Sequence, residues 1–494
     1  MLKGLIILKN QKLERELERN TVNIRAIMRS SSDLNIKYAR AGQVNICAIS
    51  CEGQVDTNQI ANLIYRPIGT IGNEKKLTPQ QVSDIIRTEL LLAVEQKQIE
   101  NYDDLVSSLM NGFCVILTDG VDSGIAVGVQ GFKTRSVSEP LNHQNIRGSR
   151  EGFVEAVRTN MSIVRRRVKS PDLVFRLDTA GSLTNTDICI CYIEKRADKR
   201  LVEDVTRRLK ELPLSVILES GYIQPFLDEK NMLFAESGAT EHPDVFVSKL
   251  YEGRVGVLVD GTPFALIIPK LFTENFMMLD DYTERPVFAS LMRFMRYFAF
   301  FIAVLLPGFF VAVADFNPEL IPDALLLNIA SSIAITPYNL LTECIVMSVF
   351  YEIMRESGLR MPANVGHAVS IVGGIVIGDI VISAGLAGAH MLLVIAIASI
   401  ASFIVPDLYN AIVVMRFVFI LAGGLFGLFG ITAAGLLFCI KLCSMNAYGI
   451  PFTVPLSPFS PKNMRDTFIR MGWRFLAKSD SKIQDMNGVE IKTD

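Results

Sequence analysis

Glu343, Ser348, Glu352 and Asp379 sit in runs that are otherwise almost free of charge. Ionisable groups inside a bilayer are costly and tend to face protein or a water-filled path. These four are therefore candidates for lining an ion path. Glu343 and Glu352 are nine positions apart and point to opposite faces of a helix. Asn339 shares a face with Glu343, and Ser348 shares one with Glu352. The competing reading is a buried hydrogen bond between helices, with Glu352 pairing to Arg355 or lying at the interface.

Enzyme chemistry has no such candidates. The soluble part holds no G-x-x-x-x-G-K-[ST] phosphate loop, no H-E-x-x-H and no G-x-S-x-G, so no catalytic residue, metal or cofactor is expected. Asp260-Gly261-Thr262-Pro263 reads as a hairpin turn rather than a phosphate turn. The formal net charge of −2 offers no polycation for nucleic acid. The eight cysteines are scattered without a C-x-x-C pair, which suits a reducing compartment. Arg165, Arg166 and Arg167 end a helical pattern over 151–168. They are candidates for docking a partner or anionic membrane lipid.

These groups must be positioned by two very different halves. Only 12 of the 100 Asp, Glu, Lys and Arg residues fall between Tyr297 and Ile450, although a soluble domain carries about 25%. That stretch reads as membrane, and what precedes it as soluble. The apolar run from Gly4 to Leu8 is shorter than a signal-peptide core, so the soluble half is expected in the cytoplasm.

The soluble half carries a tandem repeat. Asp33-Leu34 leads to Ala41-Gly42 as Asp172-Leu173 leads to Ala180-Gly181. Leu109, Gly112, Leu117, Asp119 and Gly120 match Leu250, Gly253, Leu258, Asp260 and Gly261. Each second block reads as strand, Asp-Gly turn, strand. The expected fold is a duplicated α/β cytoplasmic domain followed by a small helical transmembrane domain. The expected boundaries are an N-terminal helical segment (1–30), α/β subdomains at 31–132 and 170–285, a linker with a basic helix (133–169), a membrane domain (286–450) and a polar tail (451–494).

Five apolar segments are expected, near 297–314, 333–354, two within 365–405 and one at 417–440. Within 365–405 the chain must turn back, most naturally at Gly385–Gly388. Gly366, Ser370, Gly374 and Gly378 form a small-residue stripe that lets helices approach closely, as do Gly424, Gly427 and Gly430. Such packing serves either this chain or a second copy of it. Pro307 would free a backbone carbonyl in the first span. Arg293 and Arg296 before that span, with Asp315, Glu319 and Asp323 after it, put the N-terminal half inside. Five full spans leave the tail outside, whereas Lys462, Arg465, Arg470, Arg474 and Lys478 favour the inside. The two signals conflict.

An ordered set of motifs carries a resemblance. It runs through Ser138-Glu139-Pro140, Arg147-Gly148-Ser149-Arg150-Glu151-Gly152-Phe153, Thr159-Asn160, Ile217-Leu218-Glu219-Ser220-Gly221-Tyr222-Ile223, Glu252-Gly253-Arg254-Val255, GHAVSIVGGIVIG at 366–378 and IASFIVP at 400–406. The sequence resembles the A subunits of bacterial spore germinant receptors, the GerA family. The resemblance implies an integral protein of the spore inner membrane that works with a transporter-like B subunit and a lipoprotein C subunit. It also implies a homo-oligomer that forms a cation channel opening on nutrient sensing. Asp379 and His367 stand where the family usually has Gln, and Ser348 where it often has Glu. The SpoVAF-like relatives, which accompany the dipicolinate channel as accessory scaffolds, give the alternative.

Overall fold

Near-continuous apolar runs such as Val44–Cys51 suit strands covered on both faces, and the computed structural model has them in that setting. It describes residues 11–71, 77–91, 95–131, 149–228, 233–361, 378–461, 463–476, 482–486 and 489. The chain forms two compact units. One comprises 1–270, 447–450 and 480–494, and the other 271–446 and 451–479.

The first unit holds two five-stranded antiparallel sheets of matching topology. Strands β1 (Leu34–Ala41), β2 (Val44–Cys51), β3 (Gln96–Ile99), β4 (Phe113–Thr118) and β5 (Gly124–Gly128) are ordered β1-β2-β4-β5-β3. Strands β6 (Leu173–Ala180), β7 (Thr186–Ile193), β8 (Gly238–Thr240), β9 (Val255–Val259) and β10 (Ala265–Ile268) are ordered β6-β7-β9-β10-β8. The duplicated α/β fold expected from sequence is present. Because successive strand residues face opposite sides, Ile46 and Ala48 join one core while Cys47, Ile49 and Cys51 join the other. The second core is closed by helices α1 (Leu17–Ile27) and α2 (Tyr102–Met110). Burial pushes the Cys47, Cys51 and Cys114 thiols up to about 12, so they stay protonated and unreactive at neutral pH.

The duplication reaches further than the sequence blocks. Asp119 of the first Asp-Gly turn accepts a hydrogen bond from the Leu17 N–H at 3.2 Å. Asp260 of the second accepts one from the Val157 N–H at 2.9 Å. Each caps the N-terminus of a helix, α1 or its counterpart α3 (Val157–Arg167). Asn20 braces the backbone of Glu14 on both its N–H and its carbonyl, and Asn160 does the same to Val154. The basic helix assigned to a linker from sequence is therefore the first element of the second repeat, and α1 plays that part in the first. Helices α4 (Lys199–Lys210) and α5 (Pro243–Tyr251) cover the two faces of the second sheet.

The second unit is helical. Its longer helices among the described residues are α6 (Pro286–Phe316), α7 (Asp323–Ile335), α8 (Leu340–Arg360), α9 (Ala389–Phe403) and α10 (Tyr409–Ser444). By length and composition, two helices among the described residues can cross a membrane, Pro286–Phe316 and Pro406–Ser444. The second expected segment is not one straight helix. The chain bends by 78° between α7 and α8, at Pro337, where Asn339 caps α8 by accepting from the Thr342 N–H. Gly366, Ser370 and Gly374, with His367, Lys462 and Lys478, lie outside the described residues. Gly385 sits at the expected turn with φ of 66°.

The last apolar segment reverses direction. Gly427 has φ 61° and ψ −147°, a conformation open essentially to glycine. A Cβ on Gly430 would collide with the Ala422 carbonyl, and one on Gly423 would lie 2.9 Å from Ile431. In a straight helix, residues eight apart are separated by about 12 Å. Residues 409–426 and 428–444 are therefore two arms of a hairpin, each about 26 Å long. Gly308 lies against Phe419, and Phe316 against Gly427, so the first arm runs parallel to α6. The second arm returns to where α6 begins.

The tail docks at that end. Arg293 Nη1 donates to Asp466 Oδ1 at 2.8 Å, and the Tyr282 hydroxyl donates to Asp466 Oδ2 at 2.8 Å. The Phe272 N–H donates to the Phe452 carbonyl at 2.9 Å. The tail and the start of α6 thus lie at one end of the helical unit.

The reversal is checked by labelling. Single cysteines replacing Asn410 and Ser444, in a chain stripped of its native exposed Cys439 and Cys443, should react with an impermeant maleimide from the same face of sealed vesicles. A straight α10 would place them on opposite faces.

Candidate functional site

In the α/β unit the arginine run is spent on internal contacts. Arg165 is fully buried. Its Nε donates to Asp33 Oδ2 at 2.7 Å and its Nη2 to Asp33 Oδ1 at 3.0 Å, while its remaining donors reach the Ser170 and Leu173 carbonyls. Asp33 opens β1 of the first repeat, and Ser31 beside it accepts from the Phe175 N–H at 3.0 Å. The pair therefore fastens one repeat to the other. Removing one partner of such a buried pair typically costs about 3–5 kcal/mol. Arg166 and Arg167 both hold Glu151, and Arg167 also pairs with Asp244 at 2.7 Å. Burial raises the Glu151 carboxyl, but the two guanidiniums outweigh it and leave it below the usual value. The docking surface expected at Arg165–Arg167 is thus replaced by intramolecular partners, because α3 belongs to the repeat core.

In the helical unit the polar centre is Arg416, on the first arm of α10 and 1% exposed. Pro307 has no N–H, so the carbonyl of Ala303, four residues earlier, has no helical donor. Arg416 Nε fills that place at 2.9 Å. Its Nη2 donates to the Ala398 carbonyl of α9 at 3.3 Å, and its Nη1 lies 3.5 Å from Glu352 Oε1 of α8. One guanidinium thus joins α6, α8, α9 and α10. Glu352 also accepts from the Tyr409 hydroxyl at 2.7 Å and pairs with Arg355 at 3.6 Å, and Arg355 stacks on the Tyr409 ring.

Small residues allow the helices to meet around it. A Cβ on Gly308 would strike the Phe419 carbonyl, and one on Gly423 the Gly308 carbonyl. This pair brings α6 and α10 into backbone contact. Gly424 faces Leu341 of α8, while Gly427 makes the turn and Gly430 closes the hairpin. Among the described residues, a Cβ on Gly378 would meet Leu392 alone, at 3.9 Å.

The four ion-path candidates are not gathered at one place. Glu343 is buried and accepts from the Gly388 N–H at 2.8 Å. It caps α9, where a carboxylate suits the positive end of the helix dipole. Ser348 is fully buried. Glu352 belongs to the Arg416 junction. Asp379 alone is exposed, on the helical stretch 378–383. Sequence reading missed Arg416, Gly308 and Gly423. Arg416 had a legible signal: it is the only Lys or Arg between Arg360 and Lys441. Among the described residues, no cluster of His, Cys, Asp or Glu could hold a metal ion.

The sequence profile described as Bacillus/Clostridium GerA spore germination protein matches residues 22–482. Spore germination protein KA of Bacillus subtilis (strain 168) is 36% identical over 463 residues, covering 92% of this chain and 85% of that protein. Spore germination protein GerLA of Bacillus cereus is 32% identical, covering 92% and 94% respectively. The uncharacterized membrane protein YfkQ of Bacillus subtilis (strain 168) is 31% identical, covering 96% and 92%. A crystal structure of the N-terminal domain of the A subunit of the Bacillus megaterium spore germinant receptor GerK3 is 29% identical. It aligns over 53% of this chain and 98% of that one, with a TM-score of 0.44.

Arg416→Gln should lower the thermal midpoint of the detergent-purified chain, read as loss of the monodisperse fraction on heating. The shift corresponds to about 3–5 kcal/mol, because Glu352 is left without its buried partner. Arg416→Lys, which cannot span the same acceptors, should fall between Gln and the unsubstituted chain. Equal midpoints for all three would remove the junction.

Proposed function

Because this chain belongs to the GerA family of spore germination proteins, we propose that it is the A-type subunit of a nutrient germinant receptor. In this reading it self-associates in the spore inner membrane into a cation channel that releases ions when nutrient is sensed. It works with a transporter-like B subunit and a lipoprotein C subunit. The names of its relatives, spore germination proteins KA and GerLA, support the germination role.

The observation that carries the channel reading is Asp379. Its carboxylate is exposed on the helical unit beside the exposed apolar side chains of Ile380, Ile382 and Leu386. Facing lipid, such a group is expensive; facing a second copy across a water-filled path, it is hydrated and attracts cations. Glu343 and Glu352 then act inside each protomer, holding helices together, and Ser348 is buried between them in α8. The side of the tail fits a cytoplasmic soluble unit. Arg465, Arg470 and Arg474 lie in the same segment as the docking contacts at the start of α6, and clustered basic residues mark the inner face.

Asp379→Ala, at equal protein level, should reduce the potassium released when spores meet nutrient, and Asp379→Asn should reduce it less. Unchanged release would take Asp379 out of the ion path. Co-purification of dipicolinate-channel proteins in place of a transporter-like partner would favour an accessory scaffold.

A further inference from the structure

An open groove of about 660 Å³ lies between the second half of α8 and the first arm of α10. Its walls are Val349 and Ile353 on one side and Val413 and Phe417 on the other, with Glu352, Arg355, Glu356 and Arg360 at one rim. The groove is therefore apolar at one end and charged at the other.

Its direction in the membrane follows from the helix contacts. Leu341 packs on Gly424 near the hairpin turn, whereas Arg355 packs on Tyr409 at the start of α10. So α8 runs back towards the side on which α6 begins, and the charged rim is at that side. The walls extend from there into the apolar layer.

The charge at the rim is not balanced. Glu352 is taken up by buried Arg416 and the Tyr409 hydroxyl. Glu356 pairs with Arg360 at 2.6 Å. Arg355 stacks on Tyr409 and also lies 3.6 Å from Glu352, so three guanidiniums, Arg355, Arg360 and Arg416, share two carboxylates and the cluster keeps one net positive charge. A phosphodiester carries one negative charge and accepts hydrogen bonds from guanidinium donors.

We propose that this groove is a binding site for one anionic phospholipid of the leaflet on the α6-start side. An acyl chain lies along Val349, Ile353, Val413 and Phe417, and the phosphodiester sits at Arg355 and Arg360. Lipid bound there contacts α8 and α10 together, beside the junction that Arg416 closes. The site depends on the unit being in a membrane and not on ion conduction, so it stands or falls separately from the channel reading.

The test uses the purified full chain equilibrated with mixed micelles of equal phosphatidylglycerol and phosphatidylcholine, with bound lipid counted by native mass spectrometry. Phosphatidylglycerol should be retained in preference to phosphatidylcholine. Arg355→Gln with Arg360→Gln should lower its retention about fivefold for each guanidinium removed. Val413→Trp, which fills the groove and leaves every charge in place, should lower it as strongly in a chain that remains monodisperse. Equal retention of both lipids, or undiminished retention in Val413→Trp, would overturn the proposal. So would displacement of the lipid by glycerol phosphate alone, or a second copy of the chain found seated over the groove.

Discussion

A guanidinium sealed among apolar helices must have its hydrogen bonds met by protein, because hydrocarbon offers none. Arg416 meets this requirement with acceptors from three other helices, and the arrangement of the helical unit follows from that. One acceptor exists only because Pro307 leaves the Ala303 carbonyl without its helical donor. A second is a carboxylate, Glu352, 3.5 Å from the guanidinium. The close approach that brings these groups within reach depends on Gly308 and Gly423 having no side chains. Proline, glycine, arginine and glutamate are each poor choices for an apolar helix taken alone. Together they form a junction in which each removes the cost of another.

The α/β unit solves a similar problem by duplication. Each repeat has its Asp-Gly turn cap the helix that begins that repeat, and each has an asparagine brace the backbone entering that helix. The repeats then diverge where they meet. Arg25, the counterpart of Arg165 at the spacing that relates Asn20 to Asn160, is exposed, while Arg165 is buried against Asp33. A position that is solvated in one copy became the fastening between copies. The same helix pattern in sequence therefore gives a solvated end in one repeat and an interior ion pair in the other.

How much of this was legible in the sequence depended on the range of the interaction. The two α/β repeats were legible because Asp-Gly turns and alternating strands are local. The split into soluble and apolar halves was legible because charge density needs no geometry. The freed carbonyl at Pro307 could be anticipated, but its partner could not: Arg416 is more than a hundred residues away. The reversal at Gly427 was hidden because a hairpin of two short arms and one long span have the same composition. Only a backbone angle that glycine alone tolerates separates them. The arginine run looked like a docking surface because charge was visible and burial was not. Asp379 stood out by sequence and stands out again by exposure, whereas Glu343 and Glu352, equally conspicuous as charges, serve as a helix cap and a junction.

In the proposed channel, Asp379 faces an ion path built from several copies of this chain. The most direct measurement is the reversal potential of current across a planar bilayer holding the purified assembly under a potassium chloride gradient. The unsubstituted assembly should pass cation-selective current, and Asp379→Lys should lose or invert that selectivity. Selectivity that is the same in both would contradict this reading.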